Sequence, residues 1–300
     1  MSSLARNHVK LFSETLSKLE LAPKNIQVAK WNDWCMVSIY DYLNSNFISE
    51  SVAMGIDKDE NVAALKAISE YCEKRISKFS VDENNKISER SDGRAAFPVI
   101  YMSKEKSIEL CRRNAFNESV ERFSWATWWD NDEVFYYLKE TDYFDEEYTD
   151  LKKEFDIEYI NEIIIPTDCD IAVLIILVKL KKYGYVTGGS AGCLRQEKNG
   201  IYARAFGELL RHLLTFKEIQ VTRNEDLSFY ENRLKGFASG QWNKLVSSRI
   251  ALKGSKIIKL PDLLIDKEIK HDFMNFITLY RCYFVGQPPF MGGEVNRLCI

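Results

Sequence analysis

The chain has 300 residues, of which 46% are hydrophobic and 28% charged, and its formal net charge is −3. This composition is ordinary for a globular protein with a substantial core, and the small negative charge gives no electrostatic reason to expect nucleic-acid binding. Three histidines leave little material for a zinc site or a histidine-based catalytic triad.

In the first half of the chain, the spacing of apolar residues predicts long helices separated by short strands. The predicted elements are, in order, a helix over 3–20, strands over 34–42 and 47–55, a helix over 61–79, a loop over 80–93, a strand over 97–102 and a helix over 104–129.

The second half predicts more strands. Its elements are, in order, a helix with a loop over 139–156, strands over 157–165 and 171–180, a strand over 185–188, a glycine-rich turn at 188–192, helices over 200–216 and 264–279, and a strand over 280–286. The apolar run 171–178 is long enough for a buried strand but too short to span a membrane, so no membrane partner is expected. The glycine-rich turn lacks the Lys-Ser/Thr of a nucleotide-binding P-loop.

Three short stretches repeat one pattern inside the predicted helices. Residues 67–74 read AISEYCEK, residues 115–122 read AFNESVER and residues 205–212 read AFGELLRH. Each has an alanine, a glutamate three positions later, a charged residue three positions after that, and then a basic side chain. A strand and a loop precede each copy. We therefore predict an α/β (α+β) fold of duplicated mixed-sheet units packed with helices, as one domain over 1–300 or as pseudo-repeat halves of about 1–130 and 131–300.

The repeats concentrate negative charge on two helices. Positions three and four apart share a helix face, so Glu70 and Glu73 project side by side, and so do Glu118 and Glu121. Two such pairs facing each other would form an anionic site that a hard divalent ion, chiefly Mg²⁺, could neutralise. A solvated helix face is the commoner use of this spacing. Adjacent apolar positions such as Phe116 favour partial burial, which demands cations.

The cysteines and the N-terminal sequence indicate the cellular compartment of the protein. The seven cysteines show no CxxC pair and no disulfide-framework spacing. The sequence MSSLARNHVKLF lacks the apolar core of a secretory signal. Both features predict reduced thiols and a cytoplasmic protein.

The repeats resemble the YcaO family, whose members use ATP and Mg²⁺ to activate peptide backbone amides. The family's E-x-x-E-R helices look like 70–74 and 118–122, and Ser91-Asp-Gly-Arg-Ala-Ala96 is similar to its S-N-G-x-A-A element. The third repeat is similar to a family helix where a Glu and a Gln commonly stand. The resemblance extends from the first predicted helix to the closing Gln-Pro-Pro-Phe at 287–290.

The resemblance implies an ATP- and Mg²⁺-dependent site. Four glutamates would bind the Mg²⁺ ions that bridge the ATP phosphates, with Arg211 as a fixed cation beside them. The implied metal ligands are Glu70, Glu73, Glu118 and Glu121. The implied ATP-binding residues are these four together with Glu208, Arg211, Thr15, Arg6, Lys10 and Asp92.

The reaction implied is O-phosphorylation of backbone amides in a ribosomally made precursor peptide, giving an azoline, a thioamide or an amidine. The nucleophile would come from the peptide or from delivered sulfide, so no enzyme nucleophile is assigned. The implied partners are the precursor peptide and a leader-binding partner protein, E1-like or other, and a homodimer is a further form of assembly.

Several positions depart from the family pattern. Gly55-Ile56-Asp57 stands for the usual G-K-G, Lys66 for a common serine, Asp92 for the Asn of S-N-G, and Arg211 for the Gln. The chain also ends Asn-Arg-Leu-Cys-Ile instead of the PxPxP tail typical of azoline-forming members. These departures favour, as the alternative, a non-catalytic YcaO-like subunit or scaffold of a peptide-modifying complex. A third interpretation is a different α/β protein whose repeats are surface helices.

Overall fold

The computed structural model describes residue 17 and the ranges 25–40, 51–79, 92–98, 102–140, 145–221, 227–271, 277–290 and 296–298. Within these ranges the chain forms ten strands and six helices. In chain order they are β1 (Asn25–Trp31), β2 (Trp34–Tyr40), β3 (Ala53–Asp57), α1 (Glu60–Phe79), β4 (Gly93–Pro98), α2 (Lys104–Asp130), β5 (Tyr137–Glu140), α3 (Asp145–Phe155), β6 (Ile157–Pro166), β7 (Ala172–Leu180), β8 (Tyr185–Gly192), α4 (Leu194–Val221), α5 (Phe229–Ala238), α6 (Asn243–Ala251), β9 (Leu263–Glu268) and β10 (Ile277–Phe284).

The chain divides into two compact units, and the division falls inside α2. The first unit comprises Met1–Ser88, Asp92–Ser119 and Leu263–Tyr283, and the second comprises Glu89–Ser91, Val120–Asp262 and Phe284–Ile300.

The first unit contains two three-stranded sheets, in the orders β1-β2-β3 and β4-β10-β9. Helix α1 lies between them, because its apolar residues share one core cluster with residues of both sheets. The first part of α2 covers the other face of the second sheet. Successive side chains of a strand point to opposite faces, so in β4 Ala96 packs toward α1 and Ala95 toward α2.

The second unit is built on a four-stranded antiparallel sheet in the order β5-β6-β7-β8. Strand β7 is buried almost throughout, as the apolar run 171–178 predicts. Helix α4 packs against β8 and β7. Helix α5 begins with a capping box, in which Ser228 Oγ accepts the Glu231 N–H and Glu231 Oε2 accepts the Ser228 N–H.

The predicted α+β fold class is confirmed, and most long elements lie where the sequence places them. The helices predicted over 61–79 and 104–129 and the strands predicted over 157–165 and 171–180 match α1, α2, β6 and β7 within a residue. The strand pairs are antiparallel, whereas mixed sheets were predicted. Among the described helices, none is both long and apolar enough to cross a bilayer.

Other predictions were wrong. The glycine-rich segment 188–192 is not a turn, because β8 continues to Gly192 in register with β7. The helix predicted over 264–279 is replaced by β9 and the start of β10, and β4 begins at Gly93 instead of at 97. Strand β1 and helices α5 and α6 were not predicted. The helix predicted over 3–20 lies outside the described residues except for residue 17.

Candidate functional site

Each of the three sequence repeats lies on a helix that follows an edge strand. Within the described residues, β3, β4 and β8 are terminal strands of their sheets, and α1, α2 and α4 follow them. An edge strand turns main-chain N–H and C=O groups away from its sheet, and those groups need partners. The first glutamate of each repeat accepts one such N–H. The three hydrogen bonds join Met54 N to Glu70 Oε2 (2.9 Å), Arg94 N to Glu118 Oε2 (2.5 Å) and Gly189 N to Glu208 Oε2 (2.8 Å).

Close contact between strand and helix brings these groups together. A Cβ added to Gly93 would lie 1.8 Å from the carbonyl oxygen of Ala115, and one added to Gly188 would lie 2.2 Å from that of Ala205. A Cβ on Gly55 would meet the α1 backbone one turn earlier, at Ala63 O (1.9 Å), and at the nitrogen of Ala67 (2.6 Å). The strand glycine of each copy therefore lies against the helix backbone, where a larger residue than glycine has no room.

The basic residue that ends the repeat binds the same strand in two of the three copies. Lys74 Nζ donates to Val52 O at 2.8 Å and lies 2.6 Å from Glu70 Oε1. His212 Nδ1 lies 2.6 Å from Thr187 O. Val52 and Thr187 each precede by two residues the strand residue whose N–H binds the glutamate, so the two copies share one geometry.

In the second copy the basic residue packs on the closing segment of the chain. Arg122 lies over the ring of Phe290, 5.8 Å from its centroid, and Trp125 packs edge-on against the same ring. The buried Arg233 donates to Phe290 O at 2.8 Å. The Gln-Pro-Pro-Phe segment therefore belongs to the surroundings of the second repeat.

His212 is a buried, neutral histidine. Burial, followed by the neighbouring positive charge of Arg211, lowers the pKa of His212 to about 3. Because Thr187 O can only accept, Nδ1 carries the hydrogen and Nε2 faces Arg211, 3.5 Å from Nη2. The ring therefore braces Arg211 without adding a second positive charge.

Protonation of His212 should make stability depend on pH below neutrality. The folded pKa of about 3 lies below the unfolded value of 6.5, so the unfolded state takes up the proton first as the pH falls. His212 should therefore lower the free energy of unfolding as the pH drops from ~6.5 toward 3, by up to about 1.4 kcal/mol per pH unit. Urea titrations at several pH values measure the slope. His212→Asn keeps an N–H donor without titrating, and an equal slope in this variant would contradict the assignment.

The residue three positions after the first glutamate is charged and half-buried in every copy. It is Glu73, Glu121 or Arg211. Arg211 Nη2 lies 3.5 Å from Glu208 Oε1, so the third copy pairs its own carboxylate with its own cation. Tyr230 packs beside this pair, its ring centroid 5.7 Å from that of His212. Burial raises the pKa of Tyr230 to about 12, so its hydroxyl stays neutral.

The Asp-Gly-Arg-Ala-Ala segment organises the second repeat from the strand side. Asp92 is completely buried, and its Oδ2 accepts hydrogen bonds from Nε of Arg94, at 2.7 Å, and of Arg281. Glu118 accepts a hydrogen bond from the main-chain N–H of Arg94. Asp92, a predicted ATP-binding residue, thus lies inside the first unit, where it can act on a ligand only through the groups that it holds.

Two departures from the family pattern meet in one ion pair. Lys66 Nζ lies 2.7 Å from Asp57 Oδ2 and 3.0 Å from Ile56 O. The positive charge that G-K-G would place on the strand is therefore carried by α1 in this chain.

The chemistry of the glutamate pairs fits Mg²⁺, which takes hard oxygen ligands and keeps several waters or phosphate oxygens. In the part of the chain that the structure describes, no three His, Cys, Asp or Glu side chains gather closely enough to hold a metal ion. Each pair can supply two carboxylates, so phosphate and water oxygens would have to complete the coordination. Thr15, Arg6 and Lys10 lie outside the described residues.

Sequence reasoning missed several residues of these surroundings. Arg94 lies inside the recognised S-D-G-R-A-A stretch, so its position was a usable signal. Arg281 is 189 residues from Asp92, and nothing local in the sequence links the two. Tyr230 was equally hidden, because α5 itself was not predicted.

Comparison with known proteins places the fold. No protein-family profile and no curated protein matches the sequence. The structure is similar to YcaO from Methanopyrus kandleri bound with AMPPCP and Mg²⁺, with a TM-score of 0.59, 11% identity, and coverage of 95% of this chain and 91% of that one. It is also similar to a chain of the E. coli microcin synthetase McbBCD complex, with a TM-score of 0.53, 13% identity, and coverage of 86% of each chain.

A third similar structure is a heterocyclase in complex with substrate and cofactor, with a TM-score of 0.55 and 11% identity; the match covers 95% of this chain and 53% of that one. Identities this low relate folds and leave activities open. The fold expected from the resemblance of the repeats is thus confirmed, and the chain has the YcaO fold.

Proposed function

We propose that the protein is a peptide-modifying enzyme that uses ATP and Mg²⁺ to activate backbone amides of a ribosomally made precursor peptide. The observation that supports this most is the pairing of the YcaO fold with two half-exposed Glu-x-x-Glu pairs on α1 and α2. One of the similar proteins is bound with AMPPCP and Mg²⁺, and another is in complex with substrate and cofactor.

The residues divide into metal-facing and phosphate-facing groups. Glu70, Glu73, Glu118 and Glu121 would hold Mg²⁺ against the phosphates, and Arg211, already oriented by Glu208, would bind a phosphate oxygen. Asp92 would act through Arg94. Arg6, Lys10 and Thr15 complete the proposed nucleotide contacts.

An amide oxygen is a poor leaving group, and ATP supplies the phosphoryl group that makes it a good one. The product is an azoline, a thioamide or an amidine, depending on the nucleophile that the peptide or delivered sulfide supplies. A protein surface that stabilises phosphate charge and orients the amide is sufficient for this chemistry.

Nucleotide binding by the purified chain tests the proposal. An ATP analogue should bind in the presence of Mg²⁺, and Glu73→Gln and Glu121→Gln should each weaken that binding by about 10- to 100-fold, since a lost metal contact is at least as costly as a lost supporting one. Titration calorimetry measures the affinity. Glu109→Gln removes the same charge from an exposed position of α2 and should change nothing. Absence of Mg²⁺-dependent binding, or equal affinity in all variants, contradicts the proposal.

The proposed partners are the precursor peptide and a leader-binding protein, E1-like or other, with a homodimer as a further form of assembly. One of the similar chains belongs to a complex, the E. coli microcin synthetase McbBCD complex. Because the seven cysteines show no disulfide-framework spacing, we propose a cytoplasmic location.

A non-catalytic subunit or scaffold is the second candidate. The contact of Lys74 with Glu70 favours it, because it places a lysine on a carboxylate that the proposed metal site would use. The departures from the family pattern at Asp57 and Lys66 favour it as well. An ATPase assay with the precursor peptide and the partner separates the two, since a scaffold produces no ADP.

A further inference from the structure

The repeat sequence also has a structural role, and this role does not depend on metal binding. In all three copies the first glutamate accepts a hydrogen bond from a main-chain N–H of the preceding edge strand, through one carboxylate oxygen and over 2.5–2.9 Å. A charged acceptor on a main-chain donor gives one of the stronger hydrogen bonds in proteins. Such a bond, made three times in one geometry, fixes each helix to its strand.

The basic residue four positions later completes the attachment in the first and third copies. Lys74 donates to the carbonyl of Val52, directly before β3, and His212 to that of Thr187 in β8, so two side chains of one helix face bind an N–H and a C=O along the edge strand. We call the sets Glu70/Lys74 and Glu208/His212, together with Glu118, the edge-strand clamps.

The clamps also determine which residue of each repeat can face a ligand. The charged residue three positions after the first glutamate lies one turn further along the helix and about 60° around it from that glutamate, on the side away from the basic clamp residue. Because the clamp fixes how the helix is rotated against its strand, it sets the direction in which this residue points. This residue is Glu73, Glu121 or Arg211, so its charge is negative in two copies and positive in the third. The side chain of Arg211 is itself braced by Glu208 and His212.

We propose that Glu70, Glu118 and Glu208 are positioning residues, each holding its edge strand through one carboxylate oxygen, while the residue three positions later presents the charge that meets the ligand. The ligand-facing part rests on the proposed function. The clamp itself does not, because it consists of contacts within the protein. The first glutamate of each metal-binding pair would then have only its second oxygen left for Mg²⁺, and in Glu70 that oxygen lies 2.6 Å from Lys74 Nζ.

Hydrogen exchange of the full chain without nucleotide tests the clamp. Glu70→Ala should speed exchange of the Met54 amide by about 10- to 100-fold, because the amide loses a charged acceptor. Glu70→Gln retains an acceptor oxygen and should retain most of the protection. Glu73→Gln is the matched control on the same helix face and should leave the Met54 amide unchanged.

A second clamp guards against a variant that fails to fold. Glu208→Ala should expose the Gly189 amide in the same way, with the Met54 amide as the internal reference. Unchanged exchange at both amides in the alanine variants, or loss of protection in Glu70→Gln as large as in Glu70→Ala, overturns the clamp.

Titration with Mg²⁺ and an ATP analogue then tests the division of roles. Glu70→Gln should weaken binding less than Glu73→Gln does, whereas Glu70→Ala, which releases the strand, should weaken it as much. If Glu70→Gln loses as much affinity as Glu73→Gln while Met54 stays protected, Glu70 is a full ligand and the positioning role is wrong. If the wild-type chain binds no nucleotide, the proposed function fails and the exchange data alone decide the clamp.

Discussion

Gly93→Ala is expected to lower the free energy of unfolding by about 3 kcal/mol, at the upper end of the usual cost of overpacking. The added methyl carbon would lie 1.8 Å from Ala115 O and 2.4 Å from Ser119 N. Both contacts are main-chain atoms of α2, so relief requires the helix to move away from β4. That movement would also stretch the hydrogen bond from Arg94 N to Glu118.

Gly200→Ala is the matched control for Gly93→Ala. A Cβ at Gly200 meets only the end of the Arg204 side chain, at 3.5 Å, and the residue lies exposed in α4. Alanine favours a helix over glycine by about 1 kcal/mol, so this variant should be neutral or stabilised. Urea unfolding monitored by circular dichroism measures both. Equal stability of the two variants would show that α2 does not approach β4 as closely as described.

The sequence predicts well those features that depend on local periodicity. Helix α1 carries an amphipathic pattern, α2 is a long stretch without glycine or proline, and most of β7 is one apolar run, so each was placed within a residue or two. The segment 264–279 has apolar residues at spacings that also suit a helix, but its second part is a strand because it pairs with β4 and β9. Its structure is decided by a partner about 180 residues away in the sequence.

The candidate site divides in the same way. The glutamate repeats and the Asp-Gly-Arg-Ala-Ala segment are visible in the sequence because their parts are close together. The partner of each first glutamate is a strand amide, which has no sequence signature at all. Glycines 188 and 189 look like a loop in isolation, yet they are strand residues whose small size admits α4 and, on the other side, Trp125. The repeats are therefore recognisable in the sequence, whereas the strand groups that their side chains contact are not.

The departures from the family pattern also acquire a physical meaning only in the structure. Asp57 and Lys66 would be two unrelated losses if read separately, but they form one ion pair on the strand–helix connection. Arg211 is likewise no isolated exchange, because a neutral histidine and a carboxylate bind its guanidinium. The charges at these positions are therefore compensated within the chain, which is compatible with either of the two proposed functions.

Asp92→Leu is expected to cost about 3–5 kcal/mol of unfolding free energy, because it breaks a buried ion pair from one side only. Asp92 is completely buried and the side chain of Arg281 is 7% exposed, so leucine would leave a guanidinium without its carboxylate in the interior. Removing both charges in Asp92→Leu/Arg281→Leu should cost less than the sum of the single changes, since the two residues share one interaction.

Glu133→Gln breaks the exposed pair with Lys256 and should change stability by no more than about 0.5 kcal/mol. Denaturant titrations of the wild type, the two single leucine variants, the double variant and Glu133→Gln measure these differences, and additive losses in the cycle would show that Asp92 and Arg281 do not depend on each other. Because Asp92 also holds Arg94, whose main chain binds Glu118, Asp92→Asn should keep the fold better than leucine and still disturb the second glutamate pair.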